Sequence, residues 1–387
     1  MTEIKIIKHT TPKHLAETYD KMSSFIDESI VLLIPSDLAQ YRFGLLADIL
    51  KLIITINSNC DIKIVKLDFA LSELDKFYEQ EYSYPIVSLL WNTAEFIDKD
   101  GKNIKSFLRE KQNEFFIKMN SFEKFKGNKH IWVNTDHLSK SKGLIRLLEN
   151  SNGFNDDEEK IANTVKKILT KNILTFKKQN LIEVEDILND IGAIVYELTK
   201  NTFEWGRTDS NSVEIPSSVR GAYLRFHINK KEKITEDYKD TPIATFFNHQ
   251  RIEREYLNHL KQVYYLEILV FDSGVGFIEK FYQKDEIDDL NIIKKCLIKN
   301  QTSSTSNLKS KKGIGLDRIL KILDKQGFLK ISTDKYNVYR DLIKDNYVPV
   351  KNNNLKDLVI EDWNQDGFDN QIKAQGSYIS ILYPFKS

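Results

Sequence analysis

The chain contains few cysteines: Cys60 and Cys296 are the only ones among its 387 residues, and they lie far apart. Neither has the spacing of a metal site, so we expect two ordinary thiols in a reducing cytoplasm. Long apolar runs are missing as well. Ile30–Ile34 and Leu50–Ile56 are too short to cross a bilayer, and Met1–Lys5 has no apolar signal core. The sequence therefore predicts a cytoplasmic protein without a membrane segment.

The chain also lacks an excess of charge of one sign. Its 57 Lys and Arg residues nearly balance its 56 Asp and Glu residues, for a net charge of +1. This balance gives no specific signal for nucleic-acid binding. No internal repeat or long low-complexity segment occurs. What is present, 41% hydrophobic and 29% charged residues, is typical of a soluble globular protein with one large core or two.

Residues 1–150 alternate short apolar runs with helical patterns. Apolar residues between 46 and 53 recur at helical spacing, so we predict a helix there. Four runs are predicted to be strands: Ile30–Ile34, Ile62–Leu67, Pro85–Trp91 and His130–Val133. Strands that alternate with helices indicate a small α/β domain, with a regulatory or interaction role. The pattern loosely resembles a STAS-like sandwich of helices on a sheet, although it contains no specific motif.

A polar, breaker-rich segment at 150–157 is predicted to join this domain to a second one at 155–387. Asp156 or Asp157 is expected to cap the next helix. Two long helices, at 158–178 and 182–204, are predicted to follow. Later patterns predict strands at Arg220–Ile228, Tyr264–Phe271, 328–333 and 377–384, and helices at 286–299 and 315–326. The second domain is therefore also predicted to be α/β.

The helical pattern at 182–204 carries a carboxylate and a carboxamide at a spacing that favours joint action. Glu197 and Asn201 are four residues apart, which places them on one helix face. The amide oxygen of Asn201 is a suitable ligand for Mg²⁺, which prefers oxygen and keeps several waters. Glu197 can accept a proton from water or a hydroxyl that attacks a phosphate. A chance pattern on an amphipathic helix is the alternative interpretation.

A second candidate element follows the apolar run that ends at Phe271. Asp272 can accept a hydrogen bond from the amino group of adenine, where guanine presents a carbonyl. Gly274 and Gly276 let the chain turn sharply and approach a base. The dinucleotide fingerprint G-x-G-x-x-G is excluded, because Glu279 stands where it requires glycine. A plain turn between a strand and a loop is the alternative.

A third element lies at the start of the predicted helix 315–326. Gly313 and Gly315 precede Leu316, and free backbone N–H groups at a helix start can bind an anion. Lys312 adds positive charge. The preceding polar stretch 302–312 is predicted to be a lid that is mobile without nucleotide. No G-x-x-x-x-G-K-[ST] sequence occurs, which excludes a P-loop as the phosphate binder.

These three elements, in this order, resemble the N box, the D-x-G-x-G box and the G-x-G-L box of the GHKL ATPases. This superfamily includes the ATP-binding domains of gyrase, heat-shock chaperones, mismatch-repair proteins and histidine kinases. The segment from Gly376, with Ser377, resembles the family's last G-[ST] box. The resemblance implies a Bergerat-type α/β sandwich that holds ATP and Mg²⁺ between helices and a mixed sheet.

The resemblance also implies individual roles. Glu197 would be the catalytic base, Asn201 the magnesium ligand and Asp272 the reader of adenine. The remaining residues that would contact the nucleotide are Gly274, Gly276, Lys312, Gly313, Gly315, Leu316 and Ser377. The chain departs from compact members of the family at 229–261 and at about 340–372, which we interpret as insertions.

Two functions remain open. In the first, binding and slow hydrolysis of ATP drive a conformational switch in a regulatory or defence system, with a protein partner or a homodimer. In the second, the protein is a serine/threonine kinase like the anti-sigma factors, whose N box resembles Glu197, Asn201, Trp205 and Gly206. A histidine autokinase is disfavoured, because residues 151–196 contain no histidine.

Overall fold

The computed structural model describes residues 1–174, 178–281, 289–298, 315–350, 354–363 and 373–386, with the backbone alone at 178–186, 280–281 and 315. The protein is a mixed α/β structure, as the sequence predicts. Its strands are β1 Thr2–Lys5, β2 Ser29–Ile34, β3 Asp61–Leu67, β4 Glu95–Ile97, β5 Lys129–Thr135, β6 Glu149–Asn150, β7 Gly153–Phe154, β8 Val219–Lys230, β9 Gln262–Asp272, β10 Phe328–Asp334, β11 Tyr336–Asp341, β12 Glu361–Asp362 and β13 Ala374–Phe385.

Helices connect and cover these strands. They are α1 Pro12–Asp20, α2 Leu45–Asn59, α3 Leu74–Tyr78, α4 Ser83–Leu90, α5 Lys105–Asn120, α6 Lys140–Gly143, α7 Glu158–Ile168, α8 Lys178–Trp205, α9 Lys231–Asp237, α10 Pro242–Phe247, α11 Gln250–Glu255, α12 Gly276–Phe281, α13 Asp289–Cys296 and α14 Gly315–Ile322. No helix in the described part of the chain is long and apolar enough to cross a membrane.

The N-terminal sheet is parallel, with the strand order β1-β2-β3-β4. Its strands β2 and β3 are the apolar runs that the sequence predicts at Ile30–Ile34 and Ile62–Leu67. The helix predicted around 46–53 is α2, which is buried along nearly its whole length up to Ile56. Such burial requires neighbours on more than one side, and α2 packs against both β3 and β13. It therefore lies between the two large sheets.

The larger sheet is antiparallel, with the order β12-β11-β10-β13-β9-β8-β5 over the described residues. Its strand β9 is buried at every position from Val263 to Asp272. A strand with both faces covered reads as a continuous apolar run, which explains why the sequence predicts it well. Most of the large buried side chains of both sheets belong to one continuous cluster.

Strand β5 crosses the boundary between the two domains that the sequence predicts. Lys129–Thr135 lies within residues 1–150, yet it pairs with β8 of the larger sheet over its whole length. The register places Lys129 opposite Arg225 and Thr135 opposite Val219. The two predicted domains, 1–150 and 155–387, therefore share a sheet.

One predicted strand is wrong. Residues 85–90 of the predicted run Pro85–Trp91 belong to α4, whose residues are all buried. A short, uniformly apolar run has no periodicity that separates a buried strand from a buried helix. The structure resolves the ambiguity in favour of the helix because α4 fills the space between α2, α5 and β5.

Helix α7 begins at the predicted position, residue 158, and α8 begins at residue 178, close to the predicted 182. Asp157 caps α7, because its side chain accepts a hydrogen bond from the backbone N–H of Lys160 at 2.9 Å. A π-helical turn at Leu169–Ile173 follows α7. Helix α8 then packs against α7, α14, β8 and β9. The helices α7, α8 and α14 thus form a layer against the sheet.

The segment 229–261, which we interpret as an insertion, begins with the end of β8 and contains the helices α9, α10 and α11. Its apolar side chains, including Phe246 and Tyr256, form a second buried cluster with Phe43 and Phe328. This cluster joins the N-terminal half to the edge of the larger sheet.

Candidate functional site

Glu197 and Asn201 lie on the last turns of α8, on one face of the helix and about one turn apart. Both side chains are half-buried. Within the described part of the chain, neither forms a hydrogen bond or an ion pair through its side chain. A half-buried carboxylate and amide without protein partners can serve a ligand, since buried polar groups are normally satisfied.

Burial raises the pKa of the Glu197 carboxyl above its usual value, and the negative charge of Glu158 adds to this effect. The ammonium group of Lys200 acts in the opposite direction. Lys200 is engaged elsewhere, because its Nζ donates to Asp156 Oδ1 at 2.5 Å and to the hydroxyl of Tyr196 at 3.0 Å. Glu197 is therefore a stronger proton acceptor than an exposed glutamate.

Asp272 ends β9 and is 7% exposed. Its Oδ1 accepts a hydrogen bond from the backbone N–H of Gly274 at 2.8 Å. This bond closes the turn that leaves the sheet and fixes the orientation of the carboxylate. The turn is the second element that the sequence indicates.

The end of α8 contacts this turn directly through Gly206. A Cβ atom on Gly206 would lie 2.6 Å from the Cβ of Asp272, and one on Gly274 would lie 2.8 Å from the Cα of Gly206. Only glycine at both positions allows so close an approach. The structure thereby brings the segment of Glu197 and Asn201 next to Asp272, although the two are distant in sequence.

Gly276 starts α12 with a φ of +85°, a conformation that favours glycine. A Cβ at this position would lie 2.6 Å from Oγ1 of Thr333. The same Oγ1 accepts a hydrogen bond from the backbone N–H of Phe277 at 3.0 Å. The second glycine of the box therefore allows α12 to dock on β10.

Three polar side chains form a row across neighbouring strands. Ser377 on β13 lies opposite Asp272 on β9, and Thr333 on β10 lies opposite Ser377. Directly opposed residues share a face of the sheet. All three are buried, with exposures of 5%, 7% and 0% respectively. The row places a carboxylate beside two hydroxyl groups at the end of the sheet.

Sequence reasoning misses Thr333, and it also misses Gln375. Gln375 Nε2 donates to the carbonyl oxygens of Ser273 and Gly274 at 3.1 and 2.6 Å. Its backbone N–H donates to Oγ1 of Thr55 on α2 at 3.1 Å. Gln375 therefore holds the Asp272 turn from one side and α2 from the other. A β-strand pattern gives no signal for these contacts, because they depend on strand register.

Gly376, next to Gln375, has a φ of +92°. A Cβ here would lie 2.1 Å from the backbone oxygen of Asp272. A side chain at this position would therefore push β13 away from the turn. Steric crowding within the sheet therefore explains why glycine stands at position 376, in the last predicted box.

The third element is only partly described. Gly315 is the first residue of α14, and Leu316 is buried where α14 packs against α8. Arg318, one turn into α14, donates to Glu158 Oε1 at 2.8 Å. Lys312, Gly313 and the predicted lid 302–312 lie outside the described residues.

Among the described residues, no three His, Cys, Asp or Glu side chains cluster in a way that would hold a metal ion. Cys60 and Cys296 are both free thiols. The amide oxygen of Asn201, which accepts no hydrogen bond within the described residues, is of the ligand type that Mg²⁺ prefers.

No protein-family model, curated protein or solved structure matches the chain.

Proposed function

We propose that residues 155–387 form a GHKL-type domain that binds ATP with Mg²⁺ and hydrolyses ATP. The observation that carries the proposal is the contact of Gly206, at the end of α8, with Asp272 and Gly274. It places two of the three sequence elements side by side. The resemblance to GHKL ATPases assigns adenine recognition to one of them and magnesium binding to the other.

The architecture supports the Bergerat-type sandwich. Helices α7, α8 and α14 pack together, and α8 lies on strands β8 and β9 of the antiparallel sheet. In this arrangement the end of α8 approaches the end of β9, where Gly206 contacts Asp272. The STAS-like interpretation of residues 1–150 has weaker support, which is the alternation of helices with the parallel strands β1 to β4.

Adenine recognition would fall to Asp272 and its neighbours. The carboxylate can accept a hydrogen bond from the exocyclic amino group of adenine, and Ser377 beside it can donate to a ring nitrogen. Guanine presents a carbonyl oxygen where adenine presents the amino group, so a buried carboxylate would repel it. The site would therefore favour ATP over GTP.

Asn201 would hold Mg²⁺ through its amide oxygen, together with phosphate oxygens. When bound, the ion neutralises charge on the phosphates and orients them. Glu197, one turn earlier on the same face, would take the proton from the attacking water. Its raised pKa suits this task, because a stronger base removes the proton more readily.

The phosphates would lie near the start of α14 at Gly315, because the first turn of a helix offers backbone N–H groups to an anion. Lys312 and Gly313, which the resemblance also assigns to the nucleotide, would extend this anion site.

Hydrolysis would serve a conformational switch. The Asp272 turn contacts α2 of the N-terminal half through Gln375, so a change at the nucleotide can be transmitted to that half. A protein partner or a second copy of the chain would receive the signal. A minimal phosphotransfer enzyme has no need of such a connection.

A serine/threonine kinase is the second candidate. It is favoured by the pattern Glu197, Asn201, Trp205, Gly206, which resembles the anti-sigma kinases, and by the packing role of Gly206. In this case Glu197 would take the proton of a partner's hydroxyl in place of water.

The test is an ATPase assay with γ-labelled ATP on the wild type, Glu197→Ala and Glu159→Ala. Glu159 is an exposed carboxylate on α7 and provides the matched control. We expect Glu197→Ala to bind ATP and to lose turnover by about 100-fold or more, because general-base catalysis commonly contributes that much. Equal turnover in Glu197→Ala and wild type would refute the assignment of Glu197. Label that moves to an added protein and not to free phosphate would favour the kinase.

A further inference from the structure

A cavity lies between α1, the first turns of α2, the segment 236–241 and the strands β10 and β11. Its volume is about 680 Å³, which is within the usual range for a site that takes a small organic molecule. Of the residues assigned to the nucleotide, none that the structure describes lines this cavity.

The cavity lies on the other face of the larger sheet from the Asp272 row. Side chains alternate between faces along a strand, so residues an odd number of positions apart point in opposite directions. On β10, Thr333 belongs to the Asp272 row, whereas Lys330 lines the cavity. The two sites are therefore separate and can be tested independently.

Two lysines and one carboxylate form the polar floor of the cavity. Lys330 Nζ lies 3.3 Å from Asp48 Oδ1 and 4.4 Å from the ring centre of Trp363. Lys51 Nζ donates to the neutral amide oxygen of Asn337 at 3.3 Å and lies 4.9 Å from the ring centre of Tyr19. Asp48 is thus the ion-pair partner of Lys330, whereas Lys51 has no carboxylate within ion-pair distance in the described part of the chain.

Lys51 retains capacity for an anion. Its ammonium group has three donors, and within the described part of the chain the Asn337 oxygen accepts one of them. Burial lowers the pKa of Lys51 to about 8, and the nearby charge of Lys330 contributes to the shift, whereas Asp48 opposes it. The charges of Asp48 and Asp20 stabilise the ammonium group of Lys51 only from a distance, so an anionic group in the cavity could pair with it directly.

The residues at the walls and the opening of the cavity indicate which class of ligand fits it. Leu15, Phe43 and Leu52 give the cavity buried apolar walls that suit a hydrophobic body. Four exposed carboxylates line the cavity and outnumber its two exposed lysines, so they would repel a ligand with several negative charges; these residues are Glu17, Asp20, Glu236 and Asp240, with Lys13 and Lys239. The lining therefore fits a single anionic group on an apolar or aromatic body, and it disfavours a nucleoside triphosphate.

We propose that this cavity is a second ligand site, which binds a small organic acid with its carboxylate against Lys51 and Lys330 and its apolar body between α1 and α2. The site is distinct from the proposed nucleotide site and does not depend on that proposal.

The test uses 2-naphthoate as the probe and its neutral amide, 2-naphthamide, as the matched control ligand. Affinities are measured by calorimetry on the wild type, Lys51→Gln, Ala16→Trp and Lys63→Gln. Ala16 is exposed on α1 at the cavity, so a tryptophan there would block it without touching the lysines. Lys63 is an exposed lysine on β3, away from the cavity, and serves as the control.

We expect 2-naphthoate to bind the wild type at least about tenfold more tightly than 2-naphthamide, because a hydrogen bond between charged groups contributes that much. Lys51→Gln should lose this preference and Ala16→Trp should abolish binding, whereas Lys63→Gln and saturating ADP should leave it unchanged. Equal affinity for acid and amide, or binding of the acid that survives both cavity substitutions, would overturn the proposal. So would a failure of 2-naphthoate to bind the wild type at millimolar concentrations.

Discussion

Ser377 on β13 lies directly opposite Asp272 on β9, and both side chains are buried at the end of the sheet. Their placement puts a carboxylate acceptor and a hydroxyl group in adjacent positions. The contributions of the two residues can be separated by mutation, because the hydroxyl group of Ser377 can be removed while the charge of Asp272 is kept.

Asp272→Asn replaces an acceptor oxygen with a donor and should weaken ATP binding by about 1–3 kcal/mol. Ser377→Ala should have a smaller effect, since it leaves the carboxylate in place. Calorimetric titration with ATP and GTP measures both. Equal affinity of the wild-type protein for ATP and GTP would rule out adenine recognition by Asp272.

Gly206→Ala should disturb the nucleotide site by steric contact alone. The new Cβ would lie 2.6 Å from the Cβ of Asp272, so we expect a loss of about 1–3 kcal/mol in stability and weaker ATP binding. Gly101→Ala is the control, because that glycine has open space around it and its cost is the strain of a φ of +81°. Thermal unfolding and ATP titration together check the prediction, which fails if both variants bind ATP alike.

The ATPase rate should depend on the protonation of Glu197. Because its pKa is raised, the rate should fall as pH decreases through a value above the usual range for glutamate. Lys200→Met should move this inflection to higher pH, since the lysine charge lowers the pKa of Glu197. A pH profile of turnover for both proteins and for Glu197→Gln measures this. An identical inflection in the wild type and in Lys200→Met would contradict it.

A buried carboxyl in the sheet should make stability fall as pH rises. Burial raises the pKa of Glu267 to about 8, although its Oε1 accepts hydrogen bonds from the N–H of Gly44 at 2.8 Å and from the hydroxyl of Tyr41 at 3.2 Å. The folded protein therefore holds this proton more tightly than the unfolded chain does. The stabilisation is fully present below the ordinary pKa of glutamate and is lost as pH rises towards 8.

Chemical denaturation at several pH values measures the effect, and Glu267→Gln should flatten the slope. His227, whose Nε2 lies 2.8 Å from Glu267 Oε2, has a lowered pKa because it is buried. Its contribution is lost as pH falls below the ordinary pKa of histidine, so the interval from neutral pH to pH 8 isolates Glu267. An unchanged slope in Glu267→Gln over that interval would exclude Glu267 as its source.

Arg220 should be among the residues most needed for folding. It is buried and pairs with Asp136, at 2.6 Å from Oδ1, and with Glu149. Arg220→Ala would leave these carboxylates without their cation and should cost about 3–5 kcal/mol. Arg109→Ala, on the exposed face of α5, should change stability by no more than about 0.5 kcal/mol. Urea denaturation of both variants provides the comparison, and similar midpoints would contradict the prediction.

Those parts of the fold that depend on local pattern could be predicted from the sequence. Strand β9 and the helix that carries Glu197 follow from a continuous apolar run and from helical periodicity. The prediction of a strand at Pro85–Trp91 was wrong, because a uniformly buried segment has no hydrophobic periodicity that distinguishes a helix from a strand.

The candidate site could be predicted only where its residues form compact motifs, as Asp272, Gly274 and Gly276 do. Thr333 and Gln375 act through strand register, and the contact of Gly206 with Asp272 depends on how α8 crosses the sheet. These relationships join residues far apart in the chain, and a local pattern does not specify them.

The pairing of β5 with β8 has a consequence for any attempt to isolate the C-terminal half. A fragment that begins at residue 155 would lack Lys129–Thr135, so the N–H and C=O groups of Val219–Arg225 that face β5 would lose their partners, while those that face β9 would keep theirs. Exposed strand edges of this kind recruit other strands and promote aggregation. The first 150 residues therefore supply the strand that covers the edge of β8, and we expect the C-terminal half to need them in order to stay free of aggregation.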